Sequence, residues 1–176
     1  MIIRALRKKT NVIELTAERL REVLAYDPET GAFSWKVARG PNRAGGPAGN
    51  VNKVIGYLQI RIDYVLYYGQ RLAWLYMTGA WPGKDIDHRD ADKTNNRFEN
   101  LREATMSQNI ANSGMFAHNK SGLKGVSWYK PSGKWCAKIK IMQKSYNLGY
   151  FDCPAAAHFA YIIAADKAFG EFARSA

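Results

Sequence analysis

Residues 134–141, KWCAKIKI, alternate without a break: Lys134, Cys136, Lys138 and Lys140 take turns with Trp135, Ala137, Ile139 and Ile141. Successive side chains of a strand point to opposite faces, so this pattern specifies a strand with one basic and one apolar face. The basic face can stay in water, but the apolar face must be covered. Residues 124–129 and 145–151 read as neighbouring strands, with Pro131-Ser132-Gly133 turning the first pair and Met142-Gln143-Lys144 the second. Residues 154–169 read as an Ala-rich helix. Pro154 stands at its start, where a missing N–H costs nothing, and Gly170 ends it. The small residues Ala156, Ala157, Ala160 and Ala164 allow close approach to a sheet, and Phe159, Ala160 and Ile163 are the expected packing face. Trp135 is expected to pack the sheet on that helix. The C-terminal third is therefore expected to be a three-stranded antiparallel sheet packed on one helix.

The N-terminal half has a different texture. Thr16 can cap a short helix whose stripe is Leu20, Val23 and Leu24. It stops at the turn cluster Asp27-Pro28-Glu29-Thr30-Gly31. Residues 32–37 read as a strand and 38–50 as a Gly-, Pro- and Arg-rich loop. Residues 54–62 and 64–68 read as two paired strands, and 71–78 as a buried helix ending at Gly79. The expected place of Trp74 and Tyr76 on that helix is the core.

Charge separates three segments of the 176-residue chain. Residues 1–85 and 118–176 each carry a net +6, while 86–117 carry −1, together the formal +11. So basic a chain expects a polyanionic partner, nucleic acid first. A mildly acidic island between two basic arms suits arms that hold phosphates and an island that holds a cation. The two cysteines, Cys136 and Cys153, can build neither a Cys-rich zinc site nor a secreted disulfide framework. They fit a reduced, cytoplasmic setting. The basic opening stretch lacks a signal-type apolar run, and no segment approaches the ~20 apolar residues of a membrane span.

The island, residues 86–112, is poor in apolar residues and rich in Asp, Asn and Arg. Phosphodiester hydrolysis needs a group that activates water, which a neutral imidazole does near pH 7. It also needs charge neutralised on the phosphate and leaving oxygen, which a divalent cation held by oxygen ligands does. Asp87 and His88 are adjacent, and would converge only at a strand end or on irregular backbone. Asn100 lies 12 positions after His88 and Asn109 lies 21 after it. A short helix over 105–113 would turn Asn109 back toward the Asp-His strand. Asn95 and Asn96 read as turn formers, and Asp90 and Asp92 as loop acids. Arg89, Arg97 and Arg102 could each bind phosphate or serve as solvated ion-pair partners, with Arg102 the first choice for phosphate.

The run IDHRDADKTNNRFENLREATMSQN resembles the HNH endonuclease family, in its phage and intron-homing H-N-N variant. The agreement covers residues 70–112: Asp-His, Asp-Lys-x-x-Asn, Asn-Leu-Arg, a Thr-x-x-x-Asn helix and the preceding RLAWLYMTG helix. The resemblance implies a ββα-metal fold around one divalent ion, Mg²⁺ first and Mn²⁺ as the alternative. It implies that Asp87 and Asn109 ligate the ion, that His88 is the general base, and that Asn100 orients His88 and braces the loop. Gln70 stands where relatives often carry His.

Residues 122–172 resemble the plant ethylene-response-factor type of DNA-binding domain in their Lys-Gly-Val, Gly-Lys-Trp-x-Ala-x-Ile, Leu-Gly-x-Phe-Asp and Ala-Phe-Gly-Glu-Phe-Ala elements. This implies a sheet that docks on duplex DNA, with Trp128, Lys138, Lys140 and Asn147 as contacts. Plant members hold Arg at several of these positions and Trp at that of Asn147. Lys lacks the bidentate fork that reads guanine, so the plant sequence preference is not expected here.

The sequence thus reads as an α+β chain in two parts: residues 1–117 with the HNH module, and 118–176 as the DNA-binding domain. The expected activity is metal-dependent nicking of double-stranded DNA by a monomer or weak dimer, in the host cytoplasm if the chain is phage-encoded. The rivals are a non-catalytic DNA-binding regulator and an RNA-directed protein.

Overall fold

The computed structural model describes residues 14–38, 40, 43–115 and 119–174. The basic opening stretch and the 117/118 boundary lie outside them.

Helix α1, Ala17–Val23, starts at Thr16, whose hydroxyl accepts from the Arg19 N–H at 3.2 Å. It buries Ala17, Leu20 and Val23. Leu24, expected in the helical stripe, is buried as the first residue of strand β1, Leu24–Tyr26, which pairs antiparallel with β2, Phe33–Trp35. The Asp27 carboxylate accepts from the Glu29 N–H and the Thr30 hydroxyl, closing the turn between them. Strand β3, Asn50–Val51, joins β4, Leu58–Ile62, and β5, Val65–Tyr68, in a second sheet, both strands being shorter than the sequence suggested. The β4–β5 hairpin turns on Asp63 and Tyr64, both with left-handed backbone, as the twist of a two-residue hairpin demands. Helix α2, Gly69–Thr78, follows directly and stops at Gly79, φ 79°. Trp74 and Tyr76 pack against the core, as expected.

That core runs from Leu15 through Leu20, Leu24, Ile60, Leu72 and Leu75 to Ile86 and Leu101. The last two belong to strands β6, Asp85–His88, and β7, Leu101–Ala104, an antiparallel pair followed by helix α3, Met106–Asn112. Thr105 and Gln108 form a reciprocal capping box at its start. The island therefore has almost no core of its own and is seated on one built largely by residues 15–75.

The C-terminal sheet has the order β10-β9-β8: Lys144–Phe151, Lys134–Ile141 and Val126–Tyr129, all antiparallel. Helix α4, Pro154–Phe169, covers one face. The expected packing face is corrected here. Phe159 and Ile163 point to solvent, while Ala157, Tyr161 and Ala165 face the sheet, with Ala160 and Ala164 beside them. The helix is apolar around most of its circumference, so periodicity alone does not choose a face. The sheet brings the bulk, Trp135, Ile139, Leu148 and Phe151, and the helix brings its small side. Tyr161 lies so close to Gly125 (φ 77°) that a Cβ there would fall 2.0 Å from its ring. Among the described residues no helix is long and apolar enough to cross a membrane.

Candidate functional site

Strand β6 presents Asp87 opposite Arg102 of β7, and His88 opposite Leu101. Asp87 is 4% exposed and Arg102 7%. The Arg102 Nε donates to Asp87 Oδ2 at 3.0 Å. Asn112, at the end of α3, donates its amide to both Asp87 oxygens at 3.1 and 3.0 Å and to the His88 carbonyl at 2.6 Å. A buried carboxylate is tolerated only when paired and hydrogen-bonded, and Arg102 and Asn112 do both. Arg102, the candidate phosphate ligand, is thus an interior partner of Asp87.

His88 ends the strand, and its side chain leaves toward the following loop. Nε2 lies 3.4 Å from Asn96 Oδ1, and its ring lies 5.9 Å from that of Tyr57. Asn96 is 1% exposed. Its Nδ2 donates to the Thr94 carbonyl at 3.1 Å, which turns Oδ1 toward the imidazole. An oxygen facing Nε2 favours the tautomer with its proton there, in which Nδ1 is the basic nitrogen. Burial is the largest influence on the ring and disfavours imidazolium, holding its pKa below the usual 6.5.

The reading of Asn96 as a turn former is therefore corrected: its φ is not positive, and it is buried as the partner of His88. Asn95 does close the loop, donating to Asp90 Oδ2 at 2.6 Å and accepting from the Arg97 N–H. Asn100 braces the loop with three side-chain bonds: to the Asp90 N–H, Asp90 Oδ1 and the Asn95 carbonyl. It does not bond the His88 ring. Asp90 and Asp92 accept local N–H and hydroxyl groups and shape the turn. Asn109 sits on α3 three residues before Asn112, half-buried, with no side-chain hydrogen bond among the described residues. The structure brings Asp87, Arg102 and Asn112 together, and separately His88 and Asn96. Asn112 and Asn96 are the two residues the sequence reading missed. Asn112 shares a helix face with Asn109, and that spacing is the one signal that could have found it.

Gln70 is buried in the first turn of α2. In the C-terminal sheet, register puts Lys138, Lys140 and Asn147 on the face away from α4, with Lys134 and Tyr150. Trp128 is on the opposite face, packed edge-on to Trp135 at 5.1 Å. Asn147 also accepts from the Gly149 N–H at the bulge in β10.

Two comparisons with known proteins bear on this geometry. Residues 67–111 match the HNH endonuclease family. The matched HNH segment contains β6, the loop, β7 and nearly all of α3, hence Asp87, His88, Asn96, Asn100, Arg102 and Asn109. It ends before the C-terminal sheet. The chain is also 36% identical over 75 residues to "Protein 3.8" of Escherichia phage T7; the alignment covers 42% of this chain and 62% of that protein. No solved structure matches.

The depressed His88 pKa has a consequence for stability. The unfolded chain takes up a proton at about pH 6.5, while the folded ring does so only at lower pH. Between those two values the unfolded state binds more protons, so stability falls as pH drops below about 6.5 and levels off once the folded ring protonates. Urea unfolding of metal-free protein at about pH 7.5 and about pH 5.5 should show this loss. A His88→Gln variant should show less of it, and an equal loss in both proteins would count against the assignment.

Proposed function

We propose that this chain is a metal-dependent endonuclease that hydrolyses phosphodiester bonds in duplex DNA, nicking one strand, with the C-terminal sheet as its docking surface. The observation that carries the reading is a buried, neutral His88 held by Asn96, next in sequence to a carboxylate held by Arg102 and Asn112, all but Asn112 within the matched HNH segment.

Hard divalent cations take carboxylate and amide oxygens and keep several waters. Among the described residues Asp87 Oδ1 accepts from Asn112, and Oδ2 from Asn112 and Arg102, so lone pairs remain on the carboxylate. The Asn109 carboxamide oxygen has no partner among the described residues. Both oxygens are of the kind that Mg²⁺ takes, with Mn²⁺ as the alternative. Among the described residues no group of three or more His, Cys, Asp or Glu is placed to hold a metal ion. When bound, the ion supplies charge neutralisation at the phosphate and the leaving oxygen.

The chain's own groups do the rest. Asn96 holds Nε2–H, so Nδ1 of His88 takes the proton of the attacking water. Asn100 keeps the loop closed between Asp90 and Asn95, which sets the angle of the residues after His88. Arg102 and Asn112 hold the Asp87 carboxyl group in one orientation.

The test is supercoiled plasmid incubated with Mg²⁺ and with chelator. Nicked circles that appear only with Mg²⁺ are expected. Binding without any cleavage in either would replace this reading with a DNA-binding regulator.

Resemblance to the plant domain and the lysine-lined outer face support DNA docking there. A duplex on that face reaches Lys134, Lys138, Lys140 and Asn147 directly, and Trp128 only around the β8 edge. Each phosphate neutralised contributes roughly 0.9 to the slope of log affinity against log salt. Replacing Lys138 and Lys140 by Ala should therefore lower that slope by about 2. An unchanged slope would move the docking surface elsewhere.

A further inference from the structure

The described residues after α4 leave the C-terminal sheet. After Gly170 (φ 51°) a 3-10 turn, Gly170–Phe172, brings the last described residues back to the HNH segment. Phe172 is 8% exposed, and the Arg102 guanidinium carbon lies 3.6 Å above its ring centre. The Glu171 carbonyl accepts from Arg102 Nη1 at 3.0 Å, and its carboxylate lies 3.3 Å from the same nitrogen. That carboxylate also accepts from Arg89 Nη1 at 2.8 Å. Arg174 donates from its side chain to the Asp90 carbonyl at 3.0 Å and from its backbone to the Ala111 carbonyl at 3.3 Å. From the other side of this junction, Lys124 donates to the carbonyls of Ala111 and Ser113 at the end of α3. These contacts land on the residues after His88, on the strand opposite Asp87, and on the helix that carries Asn109 and Asn112.

A guanidinium is planar and presents its donors in fixed directions. With Nη1 on Glu171 and its face on Phe172, Arg102 has one direction left for Nε, and that direction is Asp87. Without the tail, Arg102 would lie against water on that side and be free to swing. We propose that Phe172 and Glu171 are positioning residues that act through Arg102 on Asp87, so that the C-terminal end of the chain completes the HNH site in cis. This rests on the nuclease reading, and the two can fail separately.

The experiment uses the full chain and the variants Phe172→Ala, Phe172→Trp and Glu171→Ala. The first readout is independent of activity: the Arg102 Nε–H resonance in metal-free protein, identified by its loss in Arg102→Lys. It should be protected from exchange in the unchanged chain and in Phe172→Trp, and exposed in Phe172→Ala. The second is the Mg²⁺ concentration for half-maximal nicking. Groups that orient a metal ligand carry about 10- to 100-fold in metal affinity or activity, so Phe172→Ala should raise that midpoint about tenfold. Phe172→Trp should restore it, and DNA affinity in chelator should stay within about twofold of the unchanged chain. Glu171→Ala removes a carboxylate that is 60% exposed, and should move both readouts the same way by less. An unmoved midpoint and a still-protected Arg102 in both alanine variants would overturn the proposal, as would equal losses in Phe172→Ala and Phe172→Trp. If the unchanged chain does not nick, the nuclease reading falls, and the Arg102 resonance alone decides whether the tail positions the Arg102–Asp87 pair.

Discussion

Replacing His88 by alanine is expected to reduce plasmid nicking about a thousandfold, in the middle of the range for loss of a general base. The ring is neutral because burial opposes its charge, and a neutral imidazole can accept a proton at pH 7. Asn96 Oδ1 faces Nε2, which favours the tautomer whose Nδ1 can take a proton. Nothing else within the loop can substitute. Asp90 and Asp92 spend their oxygens on the turn and are held below the usual carboxylate range. For Asp90, burial alone would raise the carboxyl, but hydrogen bonds from Asn95, Asn100 and the Asp92 N–H outweigh it; for Asp92, bonds from Thr94 dominate. They are therefore weak bases. Because His88 is 4% exposed, its loss should leave DNA affinity in chelator unchanged. Single-turnover nicking with saturating protein, together with a binding titration, checks both halves. Cleavage at the normal rate would remove His88 from the mechanism.

The second large effect is expected at a residue outside the HNH segment. Gly31 has φ 74°, and a Cβ there would lie 2.5 Å from the Arg97 nitrogen and 2.5 Å from the Asn96 carbonyl carbon. Both are backbone atoms, which cannot rotate out of the way as a flexible side chain can. The same turn is tied to the loop twice more: Tyr26 donates its hydroxyl to the Asn96 carbonyl at 2.6 Å, and the Phe98 N–H donates to the Pro28 carbonyl at 3.1 Å. Gly31→Ala therefore adds left-handed strain to a main-chain clash, at a cost of about 3 kcal/mol or more. Asn96 must shift, and His88 then loses the partner that orients it. Urea unfolding should show the lost stability, and nicking by the fraction that remains folded should fall as well. Near-normal values for both would mean that the loop is not held by this turn.

The two predictions mark where the sequence was legible. Asp87, His88, Asn100 and Asn109 are candidates by residue type, spacing and resemblance to the HNH family; the fold joins Asp87 to Arg102 and Asn112. The alternation of residues 134–141 fixed two faces of β9, since a period of two admits one assignment. Asn96 was not legible. In a loop crowded with Asp and Asn, turn-forming work is the ordinary expectation, and only the packing shows that Asn95 does it while Asn96 is buried under His88. Asn112 was missed for a related reason. Asn109 and Asn112 lie on one helix face, and which of them meets Asp87 depends on how the helix is seated against β6. The packing face of α4 was misread because its apolar residues surround the helix. The turns at Asp63-Tyr64 and Met142-Gln143 are placed by the sequence, but the left-handed backbone of Tyr64, Met142 and Gln143 is announced by no local preference.

For the site itself, the sequence by itself determined the chemical inventory: a carboxylate, an imidazole and amides at fixed separations along the chain, between two basic arms. It determined these because chain spacing and residue type are local properties. Tertiary structure alone decided which groups serve Asp87 and His88. Arg102 became an interior partner, Asn96 a positioning group, and Gly31, Glu171 and Phe172 supports from distant parts of the chain. The physical reason is that burial creates these roles. A carboxylate or imidazole removed from water must find its hydrogen bonds in whatever the fold brings near: Asp87 is met by Asn112, 25 residues away, and its partner Arg102 is met by Glu171, 69 residues away.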